Sequence, residues 1–254
     1  YVGDYSYGIW EIDGVNGTPV ATLDQFQAIR QYYDFLDVDT DRYLVDGELR
    51  QVMLAGRELV IERNPQASSW VNQRVFFTHG IGLTLVPVNE VTEEGQPQLW
   101  VRDLPPVSST GAPAVTQPRI YFSEGDDHYV VTGARQDEFD IPGDGVDPDS
   151  TYRWTAKTGI PLGTTLDRLL FALRFRDFDL LISDQVTSES QLLMRRTIPE
   201  RVTAIATFLR YDKDPYLVVG DDGRLVYIQD AYTISDAFPH ATRFNSGELV
   251  PESG

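Results

Sequence analysis

The sequence contains no cysteine among its 254 residues. Disulfide bonds, thiol catalysis and thiolate metal sites are therefore excluded. Long apolar runs are also missing, because the longest ones, at 81–88 and 169–175, fall far short of the roughly 20 residues that a helix needs to span a bilayer. Histidine is scarce, and the three that occur, His79, His128 and His240, lie far apart along the chain. A metal centre built from several histidines is therefore not expected.

Recognised catalytic signatures are missing too. The sequence has no G-x-S-x-G nucleophile elbow, no H-E-x-x-H zinc motif and no phosphate-binding G-x-x-x-x-G-K loop. Basic residues are the minority, since 21 lysines and arginines accompany 39 aspartates and glutamates and leave a net charge of -18. Such a charge repels a phosphate backbone, so no nucleic-acid partner is expected. It favours cations and basic surfaces as partners, although solubility is the simpler explanation of it.

The length of the chain and its hydrophobic fraction of 41% are sufficient for a core of its own. We predict an irregular lead-in at 1–21, a single domain at 22–238 and a polar exit segment at 239–254. The loop at 104–118, which holds several prolines, is a soft boundary inside that domain. The chain starts at Tyr1 rather than at methionine, which suggests a segment excised from a longer polypeptide.

Helices are predicted where apolar residues recur at helical spacing behind a capping residue. The predicted helices are 22–33, 65–80, 163–175, 188–196 and 199–208. The third is the clearest, because four leucines share one of its faces, as in an amphipathic helix. These leucines are Leu166, Leu169, Leu170 and Leu173.

Strands are predicted around Asp-Gly and Gly-Asp-Asp-Gly turns and in short apolar runs. One hairpin joins 37–45 to 49–61 across Asp46 and Gly47, and a second joins 216–219 to 225–235. Further strands are expected at 82–88, 99–104, 119–123, 128–132 and 151–154. The fold class is α+β, with a mixed, largely antiparallel sheet that carries hairpins and is packed by about four to five helices.

The segment 74–91, RVFFTHGIGLTLVPVNEV, contains the most conspicuous candidate for a catalytic site. His79 could act there as a general base, with Asn89 and Glu90 as its partners, and Gly80 and Gly82 would let a ligand approach the backbone. The alternative is structural, because a histidine and a glycine at the end of a helix stabilise that end.

Two groups of carboxylates are candidate calcium sites. Asp37, Asp39, Asp41 and Glu48 have the ligand spacing of an EF-hand loop, although Arg42 occupies the position where that loop needs glycine. A hairpin with a solvated acidic face explains the same pattern.

The second group is the loop that contains Asp140, Asp144, Asp147 and Asp149, which could surround a hard cation or simply form turns. The neighbouring charges of Arg57 and Glu58 are interpreted as a surface pair.

Three blocks of the sequence resemble uncharacterised protein family 0182, a family of bacterial multipass membrane proteins. The first is YYDFLDVDTDRYLVDGELRQVMLAGREL at 32–59, and the second runs from WVNQRVFFTHG to VRDLPP at 70–106. The third joins GIPLGTTLDRLLFALRF at 159–175 to RRTIPERVTAIATFLRYDKDPYLVVGDDGRLVYIQDAYTISD at 195–236. The blocks follow one another in order over most of the chain.

The resemblance implies that several transmembrane helices precede this segment, and that the segment is part of a large extracytoplasmic region at the cell membrane. The remainder of the membrane protein, an unknown protein or an envelope ligand would then be the partner. The family resemblance supplies no catalytic residue. The leading hypothesis is a domain for interaction, assembly or ligand binding, and the alternatives are an envelope-acting hydrolase or transferase centred on His79 or a module stabilised by Ca²⁺.

Overall fold

A computed structural model describes residues 29–93, 96–125, 128–143 and 149–234. The strands are β1 (Tyr33–Asp34), β2 (Asp39–Val45), β3 (Glu48–Gly56), β4 (Glu58–Leu59), β5 (Gly80–Ile81), β6 (Leu83–Pro87), β7 (Val101–Arg102), β8 (Val107–Ser108), β9 (Arg119–Ile120), β10 (Val130–Thr132), β11 (Glu138–Phe139), β12 (Thr151–Tyr152), β13 (Ile160–Pro161), β14 (Gln191–Leu193), β15 (Arg210–Tyr211), β16 (Tyr216–Val219), β17 (Leu225–Ile228) and β18 (Ala231–Tyr232). The helices are α1 (Thr165–Phe175), α2 (Asp179–Ile182) and α3 (Ile198–Ile205), with a 3-10 turn at Ile61–Arg63 and a π-helical turn at Asn72–Phe76. None of the helices in these ranges is both long and apolar enough to span a bilayer.

The largest sheet has five strands in the order β2-β3-β6-β7-β8, and its neighbouring strands are antiparallel. The predicted hairpin forms between β2 and β3, and both of its turn residues have positive φ, 51° at Asp46 and 80° at Gly47. Such a two-residue turn matches the right-handed twist of the strands. The prediction of an α+β fold with mainly antiparallel strands is confirmed by this pairing. The predicted hairpin of β16 with β17 forms as well.

Both faces of the central strands β3 and β6 are buried. One face packs against the β16–β17 hairpin, through a cluster that includes Val52, Leu54, Leu83, Leu85 and Leu217. The opposite face packs against Phe35, through Met53, Ala55 and Val86. A second core joins α1 and α2 to the sheet β10-β14-β13, and it includes Val131, Leu162, Ala172, Leu180 and Leu192.

Three predicted helices differ from the structure. Residues 188–196 contain strand β14 instead, because Leu192 and Leu193 are buried in a strand that pairs with both β10 and β13. The spacing of Ser188 and Gln191 is a weak local signal, and strand pairing outweighs it. Only the turn Asn72–Phe76 and the two residues before it are helical within 65–80. Within 22–33, Tyr33 begins β1, and residues 22–28 lie outside the described ranges.

Helix α1 forms where it was predicted but turns its leucines to solvent. Its first turn has a capping box, in which the Asp167 amide donates to Thr164 Oγ1 at 3.1 Å and the Thr164 amide donates to Asp167 Oδ2 at 3.1 Å. Ala172 is the buried residue of the helix, and Phe171 and Phe175 pack beside it. The predicted helix is therefore confirmed, and the face that packs into the core is not its leucine face.

Candidate functional site: a buried polar junction and an acidic cluster

His79 lies immediately before β5, in the interior of the protein. Its side chain is buried, with only 3% of the residue exposed, and its Nδ1 donates to the carbonyl oxygen of Gly80 at 2.9 Å. The imidazole ring lies 4.7 Å from the ring of Tyr121 and meets Tyr152 edge-on at 6.4 Å. Burial lowers the pKa of His79 well below its ordinary value, so the folded protein holds a neutral imidazole.

The glycines beside His79 are required by close packing of the backbone. A Cβ on Gly80 would overlap the carbonyl oxygen of Arg57, against which β5 runs. Gly82 has a positive φ of 76°, and its amide donates to the carbonyl oxygen of Pro118 at 2.7 Å. The glycines therefore bring two backbone segments together, which is a structural use of the Gly-Ile-Gly step.

The two proposed partners of His79 have other surroundings. Glu90 accepts a hydrogen bond from Trp100 Nε1 at 3.1 Å and lies 3.7 Å from Arg50. Asn89 is an exposed turn residue after β6. The contacts described for His79 involve Tyr121, Tyr152 and the backbone, so the structure does not bring the three residues into one group.

The neutral state of buried His79 can be measured by replacing the residue with glutamine. Below about pH 6.5 the imidazole of the unfolded chain takes up a proton and the buried imidazole does not, so the wild type loses stability as the pH falls. As the pH falls from about 8 to about 5, the free energy of unfolding of His79→Gln should therefore rise by about 2 kcal/mol relative to that of the wild type. Urea denaturation of both proteins at both pH values measures this difference. His128→Gln, at a partly exposed position, is the control. A pH-independent difference for His79→Gln would mean that the folded protein protonates His79.

Next to His79, a buried polar junction joins three parts of the chain. The carboxylate of Glu138 accepts hydrogen bonds from Thr78 Oγ1 at 2.5 Å, from the Tyr121 hydroxyl at 2.7 Å and from the amide of Trp154 at 3.3 Å. Burial raises the pKa of Glu138, and these donors oppose the shift. Thr78, Tyr121 and Glu138 are buried, and their hydrogen bonds hold β11 against the segments before β5 and after β9.

Arg196 supplies the positive charge of the buried polar junction. Its guanidinium donates to three backbone carbonyl oxygens, those of Tyr121 at 2.8 Å, His128 at 3.1 Å and Thr78 at 2.7 Å. Only 2% of the residue is exposed. The acceptors lie 75, 68 and 118 positions from Arg196 in the sequence, and no local pattern around Arg195 and Arg196 reveals which of the two arginines is buried.

A second group of ionisable residues is an acidic cluster at the side of the five-stranded sheet. Asp37, Glu124 and Asp214 each contribute one carboxylate oxygen, and these oxygens lie within 4.8 Å of one another. Burial raises the pKa of Glu124 to about 8, and the negative charges of Glu58 and Asp39 add to this shift. Burial also raises the pKa of Asp214, with a contribution from Asp37. Glu124 and Asp214 therefore hold their protons to a higher pH than isolated carboxylic acids do.

Asp39 and Glu58 form the buried side of the acidic cluster. Asp39 Oδ2 accepts a hydrogen bond from the amide of Leu217 at 2.6 Å, and burial raises the pKa of Asp39 to about 7. Glu58 accepts from the amides of Glu124 at 2.9 Å and Gly125 at 3.1 Å. Burial raises the pKa of Glu58, which is 3% exposed. The interpretation of Arg57 and Glu58 as a surface pair is wrong, because both are buried.

The residues with EF-hand spacing are spread along the first hairpin. Glu48 lies beyond the turn and pairs with Val45. Val45 is six residues after Asp39 in the extended strand β2. At roughly 3.3 Å per residue, Glu48 is about 20 Å from Asp39. Of the four predicted ligands, Asp37 and Asp39 belong to the acidic cluster. Its other members, Glu58, Glu124 and Asp214, come from distant parts of the sequence.

The second predicted calcium site is only partly within the described ranges. Asp140 forms a two-pronged ion pair with Arg119, whose Nε and Nη2 lie 2.8 and 2.6 Å from the two carboxylate oxygens. Asp149 Oδ1 accepts a hydrogen bond from the amide of Gly143 at 2.7 Å. Asp144 and Asp147 lie outside the described residues. Asp140 is therefore engaged with a protein cation.

Comparison of the sequence with those of known proteins identifies the family of this chain. A model of the uncharacterised protein family UPF0182 matches residues 17–251. The chain belongs to the UPF0182 family. A UPF0182 protein of Moorella thermoacetica is 47% identical over 227 residues, which are 89% of this chain and 25% of that protein. One from Alkaliphilus metalliredigens is 46% identical over 224 residues, 88% of this chain and 24% of that protein.

The UPF0182 relatives are much longer than this chain. A third relative, UPF0182 protein GSU2333 of Geobacter sulfurreducens, is 42% identical over 232 residues, which are 91% of this chain and 26% of that protein. The chain thus spans about a quarter of the length of these relatives. No solved structure matches it.

Proposed function

We propose that this chain is an extracytoplasmic interaction domain of a multipass membrane protein, and that it assembles with another part of the same polypeptide. The observation that carries the proposal is an apolar surface on α1 and α2, which we name the α1–α2 surface. It consists of Leu166, Leu169, Leu170, Leu173, Phe178 and Ile182.

The α1–α2 surface exposes large apolar side chains to solvent, which is unfavourable for such side chains. Residues 166, 169, 170 and 173 of α1 share one helical face, since their spacing is three and four. Their exposed fractions are 62%, 37%, 56% and 56%. Phe178 at the start of α2 is 59% exposed, Ile182 is 74% exposed, and α2 packs on α1. Exposed apolar side chains grouped in this way on two packed helices favour interaction with another protein surface.

The rest of a longer polypeptide is the partner that we propose for the α1–α2 surface. Three quarters of the length of the UPF0182 relatives lies outside the matched region, and a segment of the same chain is present at a high effective concentration. Leucine rows at spacings of three and four are also the pattern by which one helix packs against another. The resemblance to multipass membrane proteins supports the extracytoplasmic location.

Cysteine labelling tests this assembly directly, because the chain has no cysteine of its own. Leu170→Cys is introduced into the 254-residue chain and into a full-length parent whose other cysteines are replaced. In the isolated chain the thiol should react rapidly with a maleimide, and in the full-length protein it should react at least tenfold more slowly. Leu44→Cys is the matched control, since Leu44 is 73% exposed on β2 and should react equally in both.

Two outcomes would contradict the proposed function. Equal labelling of Leu170→Cys in both proteins would mean that nothing in the parent covers the α1–α2 surface. The side of the membrane is tested with a membrane-impermeant maleimide on intact cells, using Leu44→Cys in the full-length parent. Labelling only after the cells are lysed would contradict the extracytoplasmic location.

A further inference from the structure

A pocket lies between α3 and strand β13, and its lining residues Phe122 and Arg195 are the chain neighbours of Tyr121 and Arg196 in the buried polar junction. Its volume is about 240 Å³. Its apolar wall includes Ile160 of β13, Met194, and Ala204 and Ile205 of α3. We name it the β13–α3 pocket. An engineered apolar cavity of about 150 Å³ holds benzene, and pockets for drug-sized ligands begin at about 300 Å³, so this volume fits a ligand of about ten non-hydrogen atoms.

The β13–α3 pocket is positively charged, whereas the net charge of the chain is negative. Two arginines, Arg195 and Arg201, line it, and none of its lining residues within the described ranges is acidic. In a chain with 39 acidic and 21 basic residues, this is a local reversal of sign. The guanidinium of Arg201 lies 4.1 Å from the ring centre of Phe122, which fixes its plane.

Arg195 keeps much of its hydrogen-bonding capacity. Its side chain is 42% exposed, and its nearest ion-pair contact is with the exposed Glu200 at 3.7 Å. A pair at this distance and exposure is weak. A guanidinium has five donors, so Arg195 can bind a second carboxylate without losing a strong contact.

We propose that the β13–α3 pocket binds a small amphiphilic carboxylate. The carboxylate contacts Arg195 and Arg201, and a short hydrocarbon or aryl body lies against Ile160, Met194 and Ile205. A pocket with an apolar wall and a few cationic groups selects such a molecule, because the wall disfavours small inorganic anions and the arginines disfavour neutral molecules. This proposal is independent of the α1–α2 surface.

Sodium octanoate is the probe, and 1-octanol is its matched neutral analogue. Both are titrated into the ¹⁵N-labelled 254-residue chain, and the amide shifts of Gly159, Ala204 and Ile205 are followed. Octanoate should move these signals to saturation, and octanol should bind at least tenfold more weakly. The double variant Arg195→Gln/Arg201→Gln should weaken octanoate binding at least tenfold, and Arg135→Gln, at an exposed ion pair elsewhere, should leave it unchanged.

Several results would overturn the proposal. Equal binding of octanol would mean that the arginines do not select a carboxylate, and displacement of octanoate by equimolar inorganic phosphate would mean that the apolar wall does not contribute. Binding of a leucine- and glutamate-containing peptide without binding of octanoate would indicate a peptide-docking surface instead.

If the double variant does not fold, Ala204→Trp replaces it, since the tryptophan side chain should fill the pocket and abolish the shifts. Octanoate binding should be retained in Leu170→Cys, so failure here and failure of the proposed assembly are distinguishable.

Discussion

Replacement of Arg196 with alanine should lower the free energy of unfolding by about 4 kcal/mol or more. The substitution removes the guanidinium that donates to the carbonyl oxygens of Thr78, Tyr121 and His128 at 2.7, 2.8 and 3.1 Å. These acceptors have little access to water around a side chain that is 2% exposed, and they would lose a charged donor. Hydrogen bonds to a charged group contribute about 1.5–3 kcal/mol each, and the cavity adds to the loss. A total of about 4 kcal/mol or more is a large part of the 5–15 kcal/mol of a typical domain.

Chemical denaturation followed by circular dichroism measures the effect of Arg196→Ala. Arg135→Ala is the matched control, because Arg135 forms an exposed ion pair with Asp184 and should contribute less than about 1 kcal/mol. Arg196→Lys should fall between the wild type and the alanine variant, since one ammonium cannot span three carbonyl oxygens with the same geometry. A loss in Arg196→Ala no larger than that in Arg135→Ala would show that the buried polar junction does not hold these segments together.

Replacement of Asp39 with asparagine should stabilise the protein at alkaline pH. The folded-state pKa of Asp39 is raised to about 7 by burial, above the value of about 3.9 for an unfolded aspartate, so the folded state binds the proton more tightly. Stability is therefore lost as the pH rises from about 4 through 7, and the loss is complete above that range. Asparagine has no charge to bury, and its Oδ1 can still accept from the amide of Leu217. The gain at about pH 9 should be on the order of 2–4 kcal/mol, and at about pH 4 it should be small.

Denaturation of the wild type and Asp39→Asn at pH values from about 4 to 9 tests this expectation. Glu124→Gln should behave in the same way, with the loss of wild-type stability continuing to about pH 8, because the pKa of Glu124 is raised to about 8. Asp221→Asn, in the exposed turn of the second hairpin, should follow the wild-type curve. If Asp39→Asn gives a constant difference at every pH, the acidic cluster ionises like isolated carboxylates and does not retain protons.

The fold could be predicted from the sequence where the signal is local. Asp46 and Gly47 specify the first hairpin because both turn residues need positive φ. The second hairpin closes through a longer loop between Val219 and Leu225, in which Gly223 has positive φ. Thr164 and Asp167 specify the start of α1 through a capping box. The order of the sequence blocks identified the family, which the family match confirms.

The buried sites could not be predicted, because their members are brought together only by the tertiary structure. Glu58, Glu124 and Asp214 are separated by 66 and 90 positions and share no spacing pattern. His79 looked like a catalytic residue because of its glycines, and the structure uses those glycines for close packing of the backbone. The capping-box spacing at Ser188 and Gln191 predicted a helix, and pairing with two neighbouring strands decided the conformation of 191–193.

Helix α1 separates most clearly what the sequence determined from what the tertiary structure decided. The sequence determined that residues 165–175 are helical and that their leucines share one face, since capping and periodicity are local properties. The tertiary structure decided that this face is exposed, because Ala172 with Phe171 and Phe175 packs against the second core instead. The periodicity of the leucines shows that one face of the helix is apolar. It does not show whether another part of the protein covers that face. The burial of Arg196 and the raised pKa of Asp39 were decided in the same way, since desolvation depends on neighbours that only the folded chain brings close.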